Sequence, residues 1–227
     1  MPVLMVHGWG GSHQRTWQEP GVEMLLQESG RRVIGIDLLG HGTADKPHDP
    51  AAYADLSLPI RTAASDACVD GRVDGIGFSL GAIALLHAAS INPNLFRRLI
   101  LAGIGDSVFE PQNESETARI ISGVDGTASD HDTIARQFGA YARQTHNDSD
   151  ALRAVLQRPR GEPFTELMAN TITAQVLVVV GDGDFVLPAD RLAASFGNSR
   201  LQVLQNCDLF ATPENFSFID ALLDFFA

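Results

Sequence analysis

Short, continuous apolar runs alternate along the chain with segments whose apolar positions recur every three or four residues. Residues 2–6, 33–36, 73–76, 99–102, 175–180 and 200–204 are too short for buried helices and read as strands, the valine-rich fifth run being the clearest central one. Between them, Val22, Leu25 and Leu26 give residues 19–29 a helical spacing, and Gly30 closes it as a C-terminal cap. Residues 82–89 and 189–196 continue the alternation, and an amphipathic helix over 214–226 ends it. Residues 51–65 carry a helical pattern that Pro59 is expected to end or kink. Strands that alternate with helices imply right-handed crossovers, an α/β fold with a parallel sheet covered on both faces, and functional groups at the carboxyl ends of the strands.

The rhythm changes over residues 105–170, where no strand-like run occurs and helical pieces appear at 117–121, 133–143, 151–157 and 164–169. A structureless loop of this length is improbable, so the segment is expected to be a small helical cap inserted into a core made of residues 1–104 and 171–227. Phe109, Phe138, Tyr141, Phe164 and Met168 are its candidate pocket-lining residues. The plainer alternative is that these side chains pack the cap onto the body.

Composition narrows the function. With 227 residues, 44% hydrophobic and 19% charged, the chain can bury one sizeable core. Its 16 basic and 28 acidic residues give a net charge of −12, which disfavours nucleic acid and anionic membrane surfaces as partners. Arg31-Arg32 and Arg97-Arg98 are only pairs. Cys68 and Cys207 make neither a disulfide framework nor a metal-ligand spacing, so no metal or organic cofactor is expected. No basic leader precedes the first apolar run and no run is long enough to span a bilayer, which leads us to expect a cytoplasmic protein with a small-molecule substrate or ligand. The oligomeric state is not legible.

The chain is organised around Gly77-Phe78-Ser79-Leu80-Gly81, which lies between an apolar strand and an apolar helix. A tight strand-to-helix turn needs small residues two positions either side of its apex, and a serine at that apex presents its hydroxyl to the free N–H groups of the helix start. Ser79 is therefore a candidate nucleophile. Together with His7-Gly8-Trp9-Gly10-Gly11, Asp37-Leu38-Leu39-Gly40-His41-Gly42 and Gly181-Asp182-Gly183-Asp184, in that order, this motif resembles the α/β-hydrolase superfamily in its serine-nucleophile branch. The resemblance implies a parallel sheet of about six strands with the cap inserted after the sixth family strand. It also implies oxyanion-hole N–H groups from Trp9 and Leu80, and a triad acid at Asp184 with Asp182 fixing the turn. His7, Asp37 and His41 take loop-holding roles in such motifs. The implied chemistry is hydrolysis of a small carboxylic ester, thioester or lactone.

One motif departs from the family. Its catalytic histidine lies in the loop before the last helix, which here reads Asn206-Cys207-Asp208-Leu209-Phe210-Ala211, and the position itself is Leu209. No histidine follows His146. Leucine can neither take the serine proton nor donate to an acid, and loss of the base alone costs such a triad roughly a million-fold in turnover. Asp208, His7 and His146 are the substitute bases to test. The readings are then an impaired esterase, a non-catalytic small-molecule binding protein on the same scaffold, or a C–C bond hydrolase whose substrate carboxylate is held by Arg136, Arg143 or Arg153. In a third class, purely structural, Ser79 and Asp184 are survivals without a task.

Overall fold

The structure, a computed structural model, describes residues 1–68, 70–111, 113–159 and 161–227. The six apolar runs form β1 (Val3–Val6), β2 (Val33–Ile36), β3 (Val73–Phe78), β4 (Phe96–Ala102), β5 (Gln175–Gly181) and β6 (Ser199–Leu204). They make one sheet in the order β2-β1-β3-β4-β5-β6, every pair parallel. This is the six-stranded α/β sheet expected from the alternation.

Side chains of a strand point alternately to the two faces, and both faces are buried. Val3, Met5, Ile76, Ile100, Leu177 and Val179 meet α1 (Val22–Glu28) and α9 (Phe216–Phe226) on one side. Leu4, Val6, Leu99, Leu101, Val176 and Val178 meet α2 (Leu58–Ala67), α3 (Leu80–Ile91) and α8 (Asp190–Ala194) on the other. Phe218, Leu222, Phe225 and Phe226 of α9 are almost fully buried, and at about 1.5–3 kcal/mol per side chain they account for the docking of the C-terminal helix. At the opposite end of the strands, the fully buried Asp74 carboxylate accepts from Arg97 Nε and Nη2 at 2.9 and 2.6 Å and also from Arg31. Arg31 in turn donates to the Phe226 carbonyl at 2.5 Å, so β3, β4, the approach to β2 and the C-terminal helix are tied at one polar knot.

Between β4 and β5 lie α4 (Glu114–Val124), α5 (Thr133–Ala142), α6 (Ser149–Leu156) and α7 (Glu166–Thr171). Each is started by a side-chain cap: Asn113, Asp132, Asp148 and Thr165 accept from backbone N–H groups of the first turn. Boundaries differ from the sequence expectation where capping decides them. Pro59 opens α2 instead of ending it, because a proline in the first turn removes an N–H that has no acceptor there. The last helix begins at Phe216, after Pro213 in a short 3-10 turn, because Asn215 accepts from Ser217 and Phe218 N–H. Among the described residues no helix is long and apolar enough to cross a membrane.

Candidate active site

β3 ends at Phe78 and α3 begins at Leu80, so Ser79 alone makes the turn between them. Its φ of +49° and ψ of −116° are strained for a residue with a side chain, and its N–H is held by the Ala102 carbonyl of β4 at 2.8 Å. The turn closes because its flanks lack side chains. A Cβ at Gly81 would lie 2.3 Å from the His7 carbonyl oxygen, and one at Gly77 would lie 2.6 Å from Ala82 Cα. Leu80, the first residue of α3, has an N–H that cannot be used inside the helix, and the positive end of the helix faces the same side.

The loop after β1 runs alongside. A Cβ at Gly8 would meet Ser79 Cβ at 3.3 Å, which shows how closely this backbone approaches the turn. Trp9 anchors the loop by donating from its indole to the Leu152 carbonyl of α6 at 3.1 Å, and no acceptor takes its main-chain N–H among the described residues. His7 is fully buried, with Nδ1 donating to the Gly8 carbonyl at 2.7 Å and Nε2 accepting from Leu38 N–H at 3.0 Å. Burial lowers its pKa, and with both nitrogens occupied it pins this loop to the one after β2. His41 packs against it, ring centroids 5.0 Å apart, and burial together with the neighbouring His7 lowers the His41 pKa to about 3. Asp37 accepts from His13 N–H at 2.7 Å and from the Thr43 N–H and hydroxyl at 2.8 and 2.9 Å. His7 and Asp37 thus tie neighbouring loops together, whereas His41 donates from Nδ1 to the Leu39 carbonyl of its own loop and keeps Nε2 buried without a partner among the described residues.

Asp184 follows β5 and is 5% exposed. One carboxylate oxygen accepts from Val186 N–H at 3.0 Å, whereas the other, Oδ2, is buried without a partner. Desolvation, with Asp208 adding repulsion, raises its pKa. Asp182 does a different job: its Oδ1 accepts from Cys207 N–H at 3.1 Å, and Gly183 N–H donates to the Cys207 carbonyl at 2.9 Å. These bonds lace the loop that carries Leu209 onto the end of β5. Leu209 is 4% exposed and packs towards Gly103, where a Cβ would come within 2.5 Å of its Cδ1.

Ser79 and Leu209 line one cavity of about 270 Å³, open mouth included, together with Trp9, Phe78, Phe138, Tyr141 and Phe210. The rings form a connected wall, with centroids 5.3 Å apart for Trp9 and Phe138 and 5.6 Å for Phe210 with both Phe138 and Tyr141. Of the five lining candidates drawn from residues 105–170, the fold brings Phe138 and Tyr141 of α5 to this cavity. Phe109, Phe164 and Met168 are elsewhere: Phe164 packs edge-on against His87 of α3 and stacks near Phe109, and all three belong to the core over the second face of the sheet. Phe78 and Phe210 were not singled out in the sequence, although each adjoins a residue that was.

Among the described residues no histidine lines the cavity. His146 is exposed and sits 3.3 Å from Arg15 Nη1, and His48 pairs with Asp148 at 3.0 Å on the surface. Asp208 accepts from Ala211 N–H at 2.9 Å. Nor do the three arginines named as carboxylate anchors reach inside: Arg136 pairs with Asp130, Arg153 with Asp125, and Arg143 donates to the Gly123 carbonyl.

A parallel six-stranded sheet with a strained serine at the β3–α3 turn and a buried carboxylate after β5 defines an α/β protein of the hydrolase type. Residues 3–216 match the alpha/beta hydrolase family model, and the chain belongs to that family. It is 33% identical over 178 residues to the pimeloyl-[acyl-carrier protein] methyl ester esterase of Methylococcus capsulatus, a match covering 77% of this chain and 66% of that one. It is 26% identical to the 2-hydroxy-6-oxo-2,4-heptadienoate hydrolase of Pseudomonas putida, over all of this chain and 89% of the relative. The chain thus spans just under two thirds of the first relative and most of the second. Among solved structures, the esterase EaEST of Exiguobacterium antarcticum superposes with a TM-score of 0.73 at 21% identity, covering 99% of this chain and 91% of that one, which is a likeness of fold.

Proposed function

We propose that this chain is a serine-esterase scaffold whose proton relay is interrupted at Leu209. The observation that carries the reading is that Ser79 is strained at the β3–α3 turn while Asp184, just after β5, is buried with no donor to its Oδ2 among the described residues. In this reading Ser79 Oγ attacks the acyl carbon, and the Trp9 and Leu80 N–H groups receive the oxyanion. Asp184 is the acid left without the imidazole it would orient. Residues 105–170 act as a cap that supplies Phe138 and Tyr141 to the acyl pocket, which favours a small apolar acyl group. The esterase named among the relatives supports ester chemistry for the parent scaffold.

The C–C hydrolase reading is weaker, since Arg136, Arg143 and Arg153 are all engaged away from the cavity. The binding-protein reading has one observation in its favour, an apolar Leu209 completing an aromatic enclosure. A short- to medium-chain aryl ester panel separates them, run on this chain, on Leu209→His and on Ser79→Ala. Ser79-dependent turnover restored by histidine supports the interrupted esterase. Equal rates in the parent and Leu209→His refute the missing-base account, and ligand-induced stabilisation without turnover in either moves the binding protein ahead.

A further inference from the structure

We infer that the chain is a stoichiometric acyl acceptor: with activated acyl donors Ser79 becomes acylated, and the resulting ester persists because nothing at position 209 can drive its hydrolysis. This rests on the reading of Ser79 as nucleophile. The two half-reactions of a serine esterase do not suffer equally when the base is missing. In acylation, the bond from Ser79 Oγ to the acyl carbon forms and the acyl–oxygen bond of the donor breaks. The electron pair leaves on the departing oxide, and the serine proton passes to water or hydroxide in the solvent. An aryl oxide is stable enough to leave without being protonated. Deacylation must instead expel the Ser79 alkoxide, a far poorer leaving group that needs a proton delivered to Oγ, and must activate a water as well.

The geometry keeps what helps acylation and lacks what helps deacylation. The strained turn presents the hydroxyl, and the unused N–H groups at Trp9 and Leu80 flank it, the part of such sites that retains roughly a thousand-fold or more over water when the base is absent. Around Ser79, the other six lining residues are Trp9, Phe78, Phe138, Tyr141, Leu209 and Phe210. Trp9 has already committed its indole N–H to Leu152, so among the described lining residues Tyr141 is the one that brings a further side-chain oxygen to the wall. An ordered water needs two to four polar partners, and this wall offers few. Asp184 is buried and is not among the described residues that line this cavity, and the carboxylates Glu19 and Glu214 line an adjoining cavity that shares Trp9, Phe78, Tyr141 and Phe210 with it. An acyl group seated here is held among rings, and a water entering through the mouth finds no imidazole among the described lining residues to activate it.

The test is an incubation of the unmodified chain with 4-nitrophenyl butyrate, followed by nitrophenolate absorbance and intact mass. We expect a burst near one equivalent, a much slower second phase, and one butyryl group per chain that maps to Ser79 and is released by hydroxylamine. Ser79→Ala should show neither burst nor adduct. Leu209→His should not accumulate the adduct, its deacylation being faster by about 10² to 10⁴. An adduct that survives in Ser79→Ala, or steady turnover by the unmodified chain without an adduct, overturns the inference. If the unmodified chain is unreactive while Leu209→His hydrolyses the ester through Ser79, the inference fails and the esterase reading stands. If both are folded and inert, the esterase reading itself fails.

Discussion

Replacing Asp184 by asparagine should stabilise the protein at neutral pH and give no advantage in acid. Asp184 is 5% exposed, has one hydrogen bond from Val186 N–H, and keeps Oδ2 buried without a donor while Asp208 repels it. Its pKa is therefore raised above the ordinary value of 3.8, chiefly by desolvation. The folded state then holds the proton more tightly than the unfolded chain. The contribution of this group to stability is fully present below the unfolded pKa and is lost as pH rises through the folded one. Asparagine keeps the acceptor for Val186 and is neutral at every pH. In acid both side chains are neutral; the amide leaves two donors unpaired and the protonated carboxyl one, so the variant should lose its advantage there. At neutral pH the variant escapes the cost of a buried, half-satisfied carboxylate, on the order of 1–2 kcal/mol. For a domain of this size that corresponds to roughly 2–8 °C in Tm. Thermal or urea melts of both proteins from pH 3 to pH 8 measure the gap. In a Leu209→His background the sign should reverse, because the imidazole would donate to Oδ2. A variant that is less stable at neutral pH in the parent background, or a gap that does not depend on pH, would refute the account of Asp184 as an acid without its partner.

Three further outcomes follow from the packing. Gly81→Ala drives a Cβ to within 2.3 Å of the His7 carbonyl oxygen, a backbone atom that cannot swing aside, and should cost about 3 kcal/mol in urea unfolding. Asp74→Ala leaves Arg97 and Arg31 without their shared carboxylate at the start of β3 and should also cost about 3 kcal/mol, read as a fall in the urea midpoint. His41, with a folded pKa of about 3, stays neutral where the unfolded chain protonates, so its contribution is present above pH 6.5 and lost as pH falls towards 3. His41→Gln should flatten the stability profile across that window by up to about 1.4 kcal/mol per pH unit and move acid unfolding lower.

Much of the fold was legible because the signals are local. Valine-rich runs, helical spacing and the glycines around Ser79 act within a few residues, and a strand–serine–helix turn needs nothing distant to announce it. The six strands and their parallel arrangement followed from alternation alone. Helix ends were less legible, as Pro59 shows: the same residue breaks a helix from inside and starts one from its first turn, and capping decides which.

The sequence by itself determined the sheet, the turn that strains Ser79 and the identity of residue 209, since each depends on neighbours in the chain. The tertiary structure alone decided what surrounds Ser79. Trp9, Phe138, Tyr141 and Phe210 come from three distant segments, and which rings meet there depends on how α5 settles over the sheet. Phe109 and Phe164 have equal aromatic character but pack against each other and the core on the second face, Phe164 also against His87 of α3. The unpartnered oxygen of Asp184 is likewise a property of the fold, because only burial turns a carboxylate without a donor from a solvated group into a strained one.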